Sequence, residues 1–259
     1  MKAVAFLDLL GFSNTVTKCA EEALAMLHNY NSILHIGIFE KKVHPSSGYV
    51  PELQPLAKRN SMESFDDFLP FSDSIFITSD NCSDFMMQLG AFLEKSFHFT
   101  SHFYANPENK ENPLETHSLG LEEDGNGGWK VIETPCQIPP TLFRGGVSFG
   151  EVNRITPSAI SDGTKIDGHT LIGKAVVKAV GMEKKVKGPR IVFDNSIYEQ
   201  LDEDTRLYTR VLPEDVDYYE LLWPAMPFIL ENDMRNELIH FHDMFTPAYN
   251  LWNYYKNDK

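Results

Sequence analysis

The stretch Ala3-Val4-Ala5-Phe6-Leu7-Asp8-Leu9-Leu10-Gly11-Phe12-Ser13 decides how the rest of the chain is interpreted. A short apolar run of this kind indicates a buried strand, and Gly11 marks a turn that leads from the strand into a helix. One acid, Asp8, interrupts the run. Because ionised carboxylates are seldom buried unless they are paired or bind a metal, Asp8 suggests a divalent cation.

A second stretch has the same arrangement. In Phe71-Ser72-Asp73-Ser74-Ile75-Phe76-Ile77, the acid Asp73 opens another apolar strand. If the two strands lie side by side, they hold two carboxylates at one place. The sequence therefore predicts one ion site that is built on Asp8 and Asp73.

The composition is that of an ordinary globular protein. With 259 residues, of which 42% are hydrophobic and 12% aromatic, the chain can bury a core as one domain with insertions. It has no run of the roughly 18 apolar residues that a membrane span needs, and no signal-peptide pattern. Three scattered cysteines favour neither a disulfide framework nor a zinc site, which fits a reducing cytosol: Cys19, Cys82 and Cys136. We therefore expect a cytoplasmic protein without a membrane partner.

The formal net charge of -14 argues against a nucleic-acid partner, because binding a polyphosphate backbone normally requires a basic face. A nucleoside triphosphate stays compatible with this charge if metals and a local basic cluster offset the acidic surroundings. The positions of the lysines and arginines are therefore informative.

The densest basic region follows Leu171-Ile172-Gly173, which leads into a predicted helix. Lys174 and Lys178 are four residues apart and share one helical stripe. The same region also contains Lys184, Lys185, Lys187 and Arg190. For any single lysine a solvated face is the simpler interpretation, whereas the cluster as a whole is suited to neutralising phosphates.

We interpret residues 1–259 as a single domain with two additions. Residues 101–141 are rich in Asn, Glu, Pro and Gly and are read as an insertion, with a short hairpin around Trp129-Lys130-Val131-Ile132. Residues 228–259 are expected to form a helical and aromatic C-terminal extension. Residues 41–62, which carry several prolines, are read as a loop before the second acidic strand.

Four motifs in sequence order resemble the class III nucleotidyl cyclases. Phe6-Leu7-Asp8-Leu9-Leu10-Gly11-Phe12 resembles their first metal-binding strand, and Phe71-Ser72-Asp73-Ser74-Ile75 resembles the hairpin with their second metal-binding Asp. Arg144-Gly145-Gly146-Val147-Ser148-Phe149-Gly150-Glu151 and Leu171-Ile172-Gly173-Lys174-Ala175-Val176-Val177-Lys178-Ala179-Val180 follow in the family's order. Within the family, Ser72-Asp73-Ser74, Arg144-Gly145-Gly146 and Pro189-Arg190-Ile191-Val192 are most similar to the bacterial pyrimidine cyclases of Pycsar antiphage defence.

The resemblance implies an α+β fold of the class III cyclase type, a ferredoxin-like palm whose antiparallel central sheet is flanked by helices, with insertions. It also implies a head-to-tail homodimer with composite sites between the subunits. Asp8 and Asp73 would bind two Mg²⁺ or Mn²⁺ ions, assisted by the Leu9 carbonyl. The backbone of the turn formed by Leu10, Gly11 and Phe12 would hold the triphosphate, although a plain strand-turn-helix unit explains the same residues.

The chain departs from the family at two places. Purine cyclases read the base with a pair of polar residues, and alignment on the motifs puts Leu69 and Thr170 there. Leu69 replaces neither the Lys expected of an adenylate cyclase nor the Glu expected of a guanylate cyclase, so a purine substrate is less expected. The family's transition-state Asn and Arg align with Val177 and Gly181, which leaves three basic candidates for that role: Lys178, Lys174 and Arg144.

The resemblance, together with the departure at Leu69, therefore implies a cyclase that converts a pyrimidine nucleoside triphosphate to the 3',5'-cyclic monophosphate as an antiviral second messenger. UTP is preferred over CTP because the resemblance implies that it is the commoner substrate. Tyr49 and Arg59 are candidates for facing the pyrimidine ring. The alternatives are a purine cyclase using ATP or GTP, and an inactive cyclase-like module that binds a nucleotide or a partner. The missing Arg counterpart favours the inactive module, and the retention of both Asp8 and Asp73 disfavours it.

Overall fold

The structure is a computed structural model that describes residues 1–18, 20–43, 46–48, 50–52, 54–104, 115–123, 125, 128–137, 141–156, 158–161, 164–167 and 169–223. The strands in this part are β1 (Lys2–Leu9), β2 (Asp67–Phe71), β3 (Ser74–Ser79), β4 (Glu115–Glu123), β5 (Trp129–Gln137), β6 (Phe143–Gly150), β7 (Asn153–Ile155), β8 (Ser158–Ser161), β9 (Thr164–Asp167), β10 (Thr170–Ile172), β11 (Ile191–Asp194), β12 (Thr209–Val211) and β13 (Tyr218–Leu221). The helices are α1 (Phe12–Lys18), α2 (Ala20–Val43), α3 (Gln54–Asn60), α4 (Cys82–Tyr104), α5 (Lys174–Glu183), α6 (Asn195–Tyr198) and α7 (Glu203–Arg206), with a 3-10 turn at Ser46–Gly48.

Seven strands form the central sheet in the order β12-β13-β11-β6-β1-β3-β2. The last four strands in this order, β6-β1-β3-β2, have the strand order of a ferredoxin-like unit. All neighbouring pairs are antiparallel except β6 and β11, which run parallel. A parallel pair needs a crossover connection, and α5 lies in the connection between β6 and β11. The predicted α+β architecture with a mostly antiparallel sheet flanked by helices is confirmed.

Alternation along β1 divides the sheet into two faces. Ala3, Ala5, Leu7 and Leu9 belong to the main core, which the residues of α2 and α4 complete. Val4 packs instead with Ala175 and Ala179 of α5, with Phe6 and Phe76 beside them. Because successive side chains of a strand point to opposite faces, Asp8 lies on the same face as Val4 and Phe6, which we call the α5 face.

Helix α5 packs directly on β6 at Gly146. A Cβ at this position would lie 2.1 Å from the carbonyl oxygen of Ala179 and 2.8 Å from Cβ of Met182. No side chain fits in that space, so the glycine lets the helix and the strand make contact. This contact holds α5 across the strand that carries Arg144.

Two segments differ from what their composition indicates. Residues 54–60, read as part of a loop, form helix α3, which begins with Gln54-Pro55. Proline is tolerated in a first helical turn, because the amides there have no intrahelical partner. In the insertion, β4 and β5 pair over nine residues each, a longer hairpin than the predicted one around Trp129–Ile132.

The predicted C-terminal extension, residues 228–259, lies outside the described residues. Within the described part of the chain, no helix has the length and apolar character that crossing a membrane requires.

A buried ion cluster holds the β11-β13-β12 side of the sheet together, and we expect Glu220→Gln to destabilise the fold. Glu220, which is 2% exposed, accepts a hydrogen bond from Arg190 at 2.5 Å and another from Arg210. Breaking a buried pair leaves an uncompensated charge, so Glu220→Gln should lower the free energy of unfolding by about 3 kcal/mol. Urea denaturation measures this change. Glu214→Gln is the control: its side chain also pairs with Arg190 but is largely exposed, so about 1 kcal/mol or less is expected. Equal losses for both variants would contradict the prediction.

Glu94 of α4 makes stability dependent on pH. Burial raises the pKa of its carboxyl from 4.5 to about 7, with Lys95 acting in the opposite direction. The folded protein therefore binds this proton more tightly than the unfolded chain, and stability falls as pH rises through the interval between the two pKa values. We expect Glu94→Gln to stabilise the protein by up to about 3 kcal/mol near pH 8 and to change little near pH 5. Thermal melts at the two pH values test this, and an equal shift at both would contradict it.

Candidate active site

Asp8 and Asp73 meet at one end of the sheet. β1 pairs with β3 so that Asp8 lies opposite Ser74, and the amide of Leu9 donates to the carbonyl of Asp73 at 3.0 Å. Asp73 occupies the two-residue turn between β2 and β3, in which Ser72 has φ +56°, in the left-handed region. The hairpin and the first strand thus bring the two predicted acids together.

The surroundings of Asp8 make ionisation of its carboxyl less favourable than in an exposed aspartate. Burial of the carboxylate raises the pKa of Asp8, and the charge of Asp73 raises it further, while a hydrogen bond from Ser74 and the charge of Arg144 oppose the rise. The Ser74 hydroxyl donates to Asp8 Oδ1 at 3.0 Å. Two carboxylates held this way gain from a positive charge between them.

Tyr30, a buried residue of α2, supports the hairpin from the other face of the sheet. Its hydroxyl donates to the carbonyl of Ser74 at 2.8 Å. Burial together with the charges of Asp73 and Asp8 raises the pKa of the Tyr30 hydroxyl, which therefore stays a neutral donor. The sequence alone does not predict this contact, because an aromatic residue in a helix has the same sequence pattern as an ordinary core residue.

Arg144 of β6 lies directly opposite Asp8 on β1. Its guanidinium approaches Asp8 Oδ2 at 3.7 Å and donates short hydrogen bonds from Nε and Nη2 to Oε1 of Glu183. Glu183 is the last residue of α5, and its side chain is 5% exposed. Glu183 is not among the residues that the sequence predicts for the site. The one feature of the sequence that could have indicated Glu183 is its position as an acid at the end of a predicted helix, in an otherwise basic region.

The donor groups fit Mg²⁺ or Mn²⁺. Asp8 and Asp73 offer carboxylate oxygens, and Leu9 is next to both through its backbone. Within the described ranges, no group of three or more His, Cys, Asp or Glu side chains could hold a metal ion. In phosphoryl-transfer enzymes, Mg²⁺ is usually bound by one or two carboxylates, and the substrate phosphates complete its coordination shell. The pair Asp8 and Asp73 therefore suits an ion that arrives with a nucleotide.

The turn after Asp8 is formed as predicted, but one of its three backbone amides is already hydrogen-bonded within the protein. Gly11 has φ +83°, and α1 begins at Phe12. The amide of Leu10 already donates to the carbonyl of Leu142 at 2.9 Å. The phosphate contact expected of this turn therefore falls to Gly11 and Phe12.

Lys174 and Lys178 lie at the opposite end of the same face. Helix α5 runs antiparallel to β6: Ala175 lies against Gly150, whereas Glu183 lies against Arg144. Six positions of β6 separate these two contacts, which is about 20 Å along a strand. Lys174 and Lys178 line an open groove, and Lys178 Nζ lies 3.4 Å from Asp194. One chain therefore does not bring these lysines to Asp8 and Asp73.

Three of the four candidates for base recognition lie in the described part of the chain, and these three are scattered. Leu69 of β2 lies opposite Phe76 on the α5 face, and Thr170 opens β10, close to the lysine groove. Arg59 lies in α3, which packs on α4 on the other face of the sheet, and its guanidinium is 3.7 Å from Asp204. The structure does not bring Arg59 to Asp8 within one chain. Tyr49 lies outside the described residues.

No family model and no curated protein matches the chain. Among solved structures, a bacterial light-regulated adenylyl cyclase has a TM-score of 0.50 and 15% identity, covering 86% of this chain and 52% of that one. The guanylate cyclase domain of RhGC from Catenaria anguillulae in complex with GTP has a TM-score of 0.46 and 15% identity, covering 85% of this chain and 94% of that one. The chain spans about half the length of the light-regulated cyclase. At such identity the likeness concerns the fold alone, and the fold of this chain is that of class III cyclase catalytic domains.

Proposed function

We propose that the protein is a nucleotidyl cyclase that converts a nucleoside triphosphate to its 3',5'-cyclic monophosphate and pyrophosphate. The observation that carries the proposal is the pairing of Asp8 with Asp73 beside Arg144, on a cyclase fold. In the reaction the ribose 3'-oxygen forms a bond to the α-phosphorus and the bond from that phosphorus to the pyrophosphate oxygen breaks. The 3'-hydroxyl proton passes to water, and pyrophosphate leaves.

Asp8, Asp73 and the carbonyl of Leu9 would hold two Mg²⁺ or Mn²⁺ ions. Such ions lower the pKa of a bound hydroxyl and neutralise charge on transferring phosphates. Ser74 orients the Asp8 carboxylate, and Tyr30 holds the backbone of the same hairpin. Arg144 supplies a guanidinium beside the acids, suited to the charge that develops on the phosphoryl oxygens.

The two separated groups of residues support a homodimer. A head-to-tail pair of chains would bring Lys174, Lys178 and Thr170 of one copy to the aspartates of the other. Exposed apolar side chains accompany both groups, as expected of surfaces that a second copy covers: Phe71 is 72% exposed next to the Asp73 turn, and Val177 is 74% exposed in the lysine groove. In this arrangement the lysines offset the triphosphate charge and Lys178 serves the transition state.

For the base we propose a pyrimidine, with UTP preferred over CTP, and a cytoplasmic role in producing an antiviral second messenger. Leu69 supports the pyrimidine, because an apolar side chain stands where purine cyclases place a polar reader. A purine triphosphate is the second candidate, since the solved structures with this fold carry the names of adenylyl and guanylate cyclases.

The test is incubation of the purified protein with ATP, GTP, CTP and UTP separately, in the presence of Mn²⁺, with mass spectrometry of the products. Cyclic UMP as the main product, with less cyclic CMP, is the expected result. If cyclic AMP or cyclic GMP is the main product, the substrate is a purine triphosphate and the pyrimidine proposal is wrong. The absence of any cyclic product from a folded dimer would favour the inactive cyclase-like module.

A further inference from the structure

Arg144 is shared by two acids of unequal burial. Its Nε and Nη2 both point to Oε1 of Glu183, whereas only Nη2 approaches Asp8, at 3.7 Å from Oδ2. The Glu183 side chain is 5% exposed, and those of Arg144 and Asp8 are each 28% exposed. The guanidinium therefore makes its hydrogen bonds with Glu183 and only a longer ion pair with Asp8.

The charges of these groups explain why the arrangement matters for a cation. Glu183 and Arg144 neutralise each other, so Asp8 and Asp73 retain two negative charges between them. If Glu183 were neutral, the guanidinium would carry an uncompensated charge a few ångströms from Asp8. Arg144 would then be drawn to Asp8 Oδ2, where it would compete with a divalent ion for the same oxygen.

Glu183 is held at this place by the packing of α5. A Cβ at Gly146 would lie 2.9 Å from the backbone nitrogen of Glu183 and 2.1 Å from the carbonyl oxygen of Ala179. Gly146 is two residues from Arg144 on β6, on the same face. The end of the helix therefore cannot move away from Arg144 without losing its contact with the strand.

We propose that Glu183 is a positioning residue that holds the Arg144 guanidinium off the Asp8 carboxylate and so keeps Asp8 available for a divalent cation. This inference rests on the proposed function, because it assumes a cation at Asp8 and Asp73. Glu183 itself contacts neither the cation nor a nucleotide. It acts by setting the position of Arg144.

The test measures Mn²⁺ binding to the full chain without nucleotide, by the electron paramagnetic resonance signal of free Mn²⁺. We expect Glu183→Gln to weaken Mn²⁺ binding by about tenfold or more, because it leaves a positive charge beside Asp8. Glu203→Gln is the matched control, since it removes the same charge at an exposed position in the first turn of α7. Its Mn²⁺ affinity should stay within about twofold of the wild type, because exposed distant charges are screened.

A double variant separates positioning from a structural role. In Glu183→Gln combined with Arg144→Ala the competing cation is gone, so Mn²⁺ affinity should return to within about threefold of the wild type. Glu183→Asp keeps the charge and should lie between the wild type and Glu183→Gln. A merely structural role predicts no recovery in the double variant. Thermal melts identify variants that do not fold. If Glu183→Gln does not fold, the Mn²⁺ affinities of Glu183→Asp and of the double variant test the positioning role.

The outcomes distinguish this inference from the proposed function. Asp8→Asn should abolish the Mn²⁺ binding seen in the wild type. If Asp8→Asn weakens binding but Glu183→Gln leaves it unchanged, the positioning role is overturned and the metal site stands. If the wild type and Asp8→Asn bind Mn²⁺ equally, or neither binds, the metal site is overturned, and the role of Glu183 with it.

Discussion

Asp73→Asn is expected to lower the turnover number by at least about a thousandfold, because it removes one of the two carboxylates proposed to hold the metal ions. Asparagine has nearly the same shape, and the contact of the Asp73 carbonyl with the Leu9 amide involves only the backbone. The fold should therefore persist. Asp8→Asn is expected to cause a comparable loss. Product formation from the preferred triphosphate, measured with saturating Mn²⁺, gives the size of both effects.

Asp8→Asn should not lower the melting temperature. Burial raises the pKa of Asp8, so the folded protein disfavours its ionised form, and a neutral asparagine removes that cost. Asp66→Asn is the matched control for activity, because Asp66 immediately precedes the same hairpin and pairs with Lys2 in an exposed position. It should retain activity to within about twofold. An Asp73→Asn protein that is folded and keeps more than about a tenth of wild-type activity would contradict the assignment of the metal site.

Mixing two inactive variants is expected to restore activity. The first is Asp73→Asn, and the second carries Lys174→Met with Lys178→Met. In a head-to-tail dimer each site takes its aspartates from one copy and its lysines from the other, so a mixed dimer has one intact site. Equal amounts that exchange subunits freely form mixed dimers half of the time, which predicts about a quarter of wild-type activity.

The expected recovery follows from the separation within one chain. Lys174 and the Asp8 end of the sheet are about 20 Å apart along β6, so a site formed within one chain cannot use both groups. Mixing Asp73→Asn with Asp8→Asn is the control. Both changes affect the same half of the site, so neither site of the mixed dimer is intact and no recovery is expected. Recovery in the control mixture would contradict composite sites. So would a lack of recovery on mixing Asp73→Asn with the double lysine variant, when each of these two variants alone is inactive.

Much of the fold was predictable because its signals are local. The apolar run with one acid at Asp8 indicated β1, Gly11 indicated the turn that follows, and the apolar run that Asp73 opens indicated β3. Helix α5 follows Gly173 as its spacing predicts. Each prediction depended on periodicity or turn chemistry over a few neighbouring residues. Helix α3 was not predictable from the pattern, because Pro55 favours a loop by sequence although proline is tolerated in a first helical turn.

Only those residues of the candidate site that stand out within a single sequence motif were predictable. Asp8 and Asp73 each interrupt an apolar run, so each could be identified alone. Glu183 and Tyr30 could not, because a helical acid among lysines and a helical aromatic residue have ordinary sequence surroundings. Their importance arises from contacts with Arg144 and Ser74, which are distant in the sequence.

The amino-acid sequence was sufficient to identify the strands and the helix that carry the site, and to identify each of the two aspartates as an acid in an apolar run. Local backbone preferences and the alternation of apolar residues encode these features within short segments. The sequence did not show that Arg144 lies between Asp8 and Glu183, or that Lys174 and Lys178 lie at the far end of the sheet. These facts depend on the register of β1 with β6 and on the direction in which α5 crosses β6 at Gly146, which are set by long-range packing.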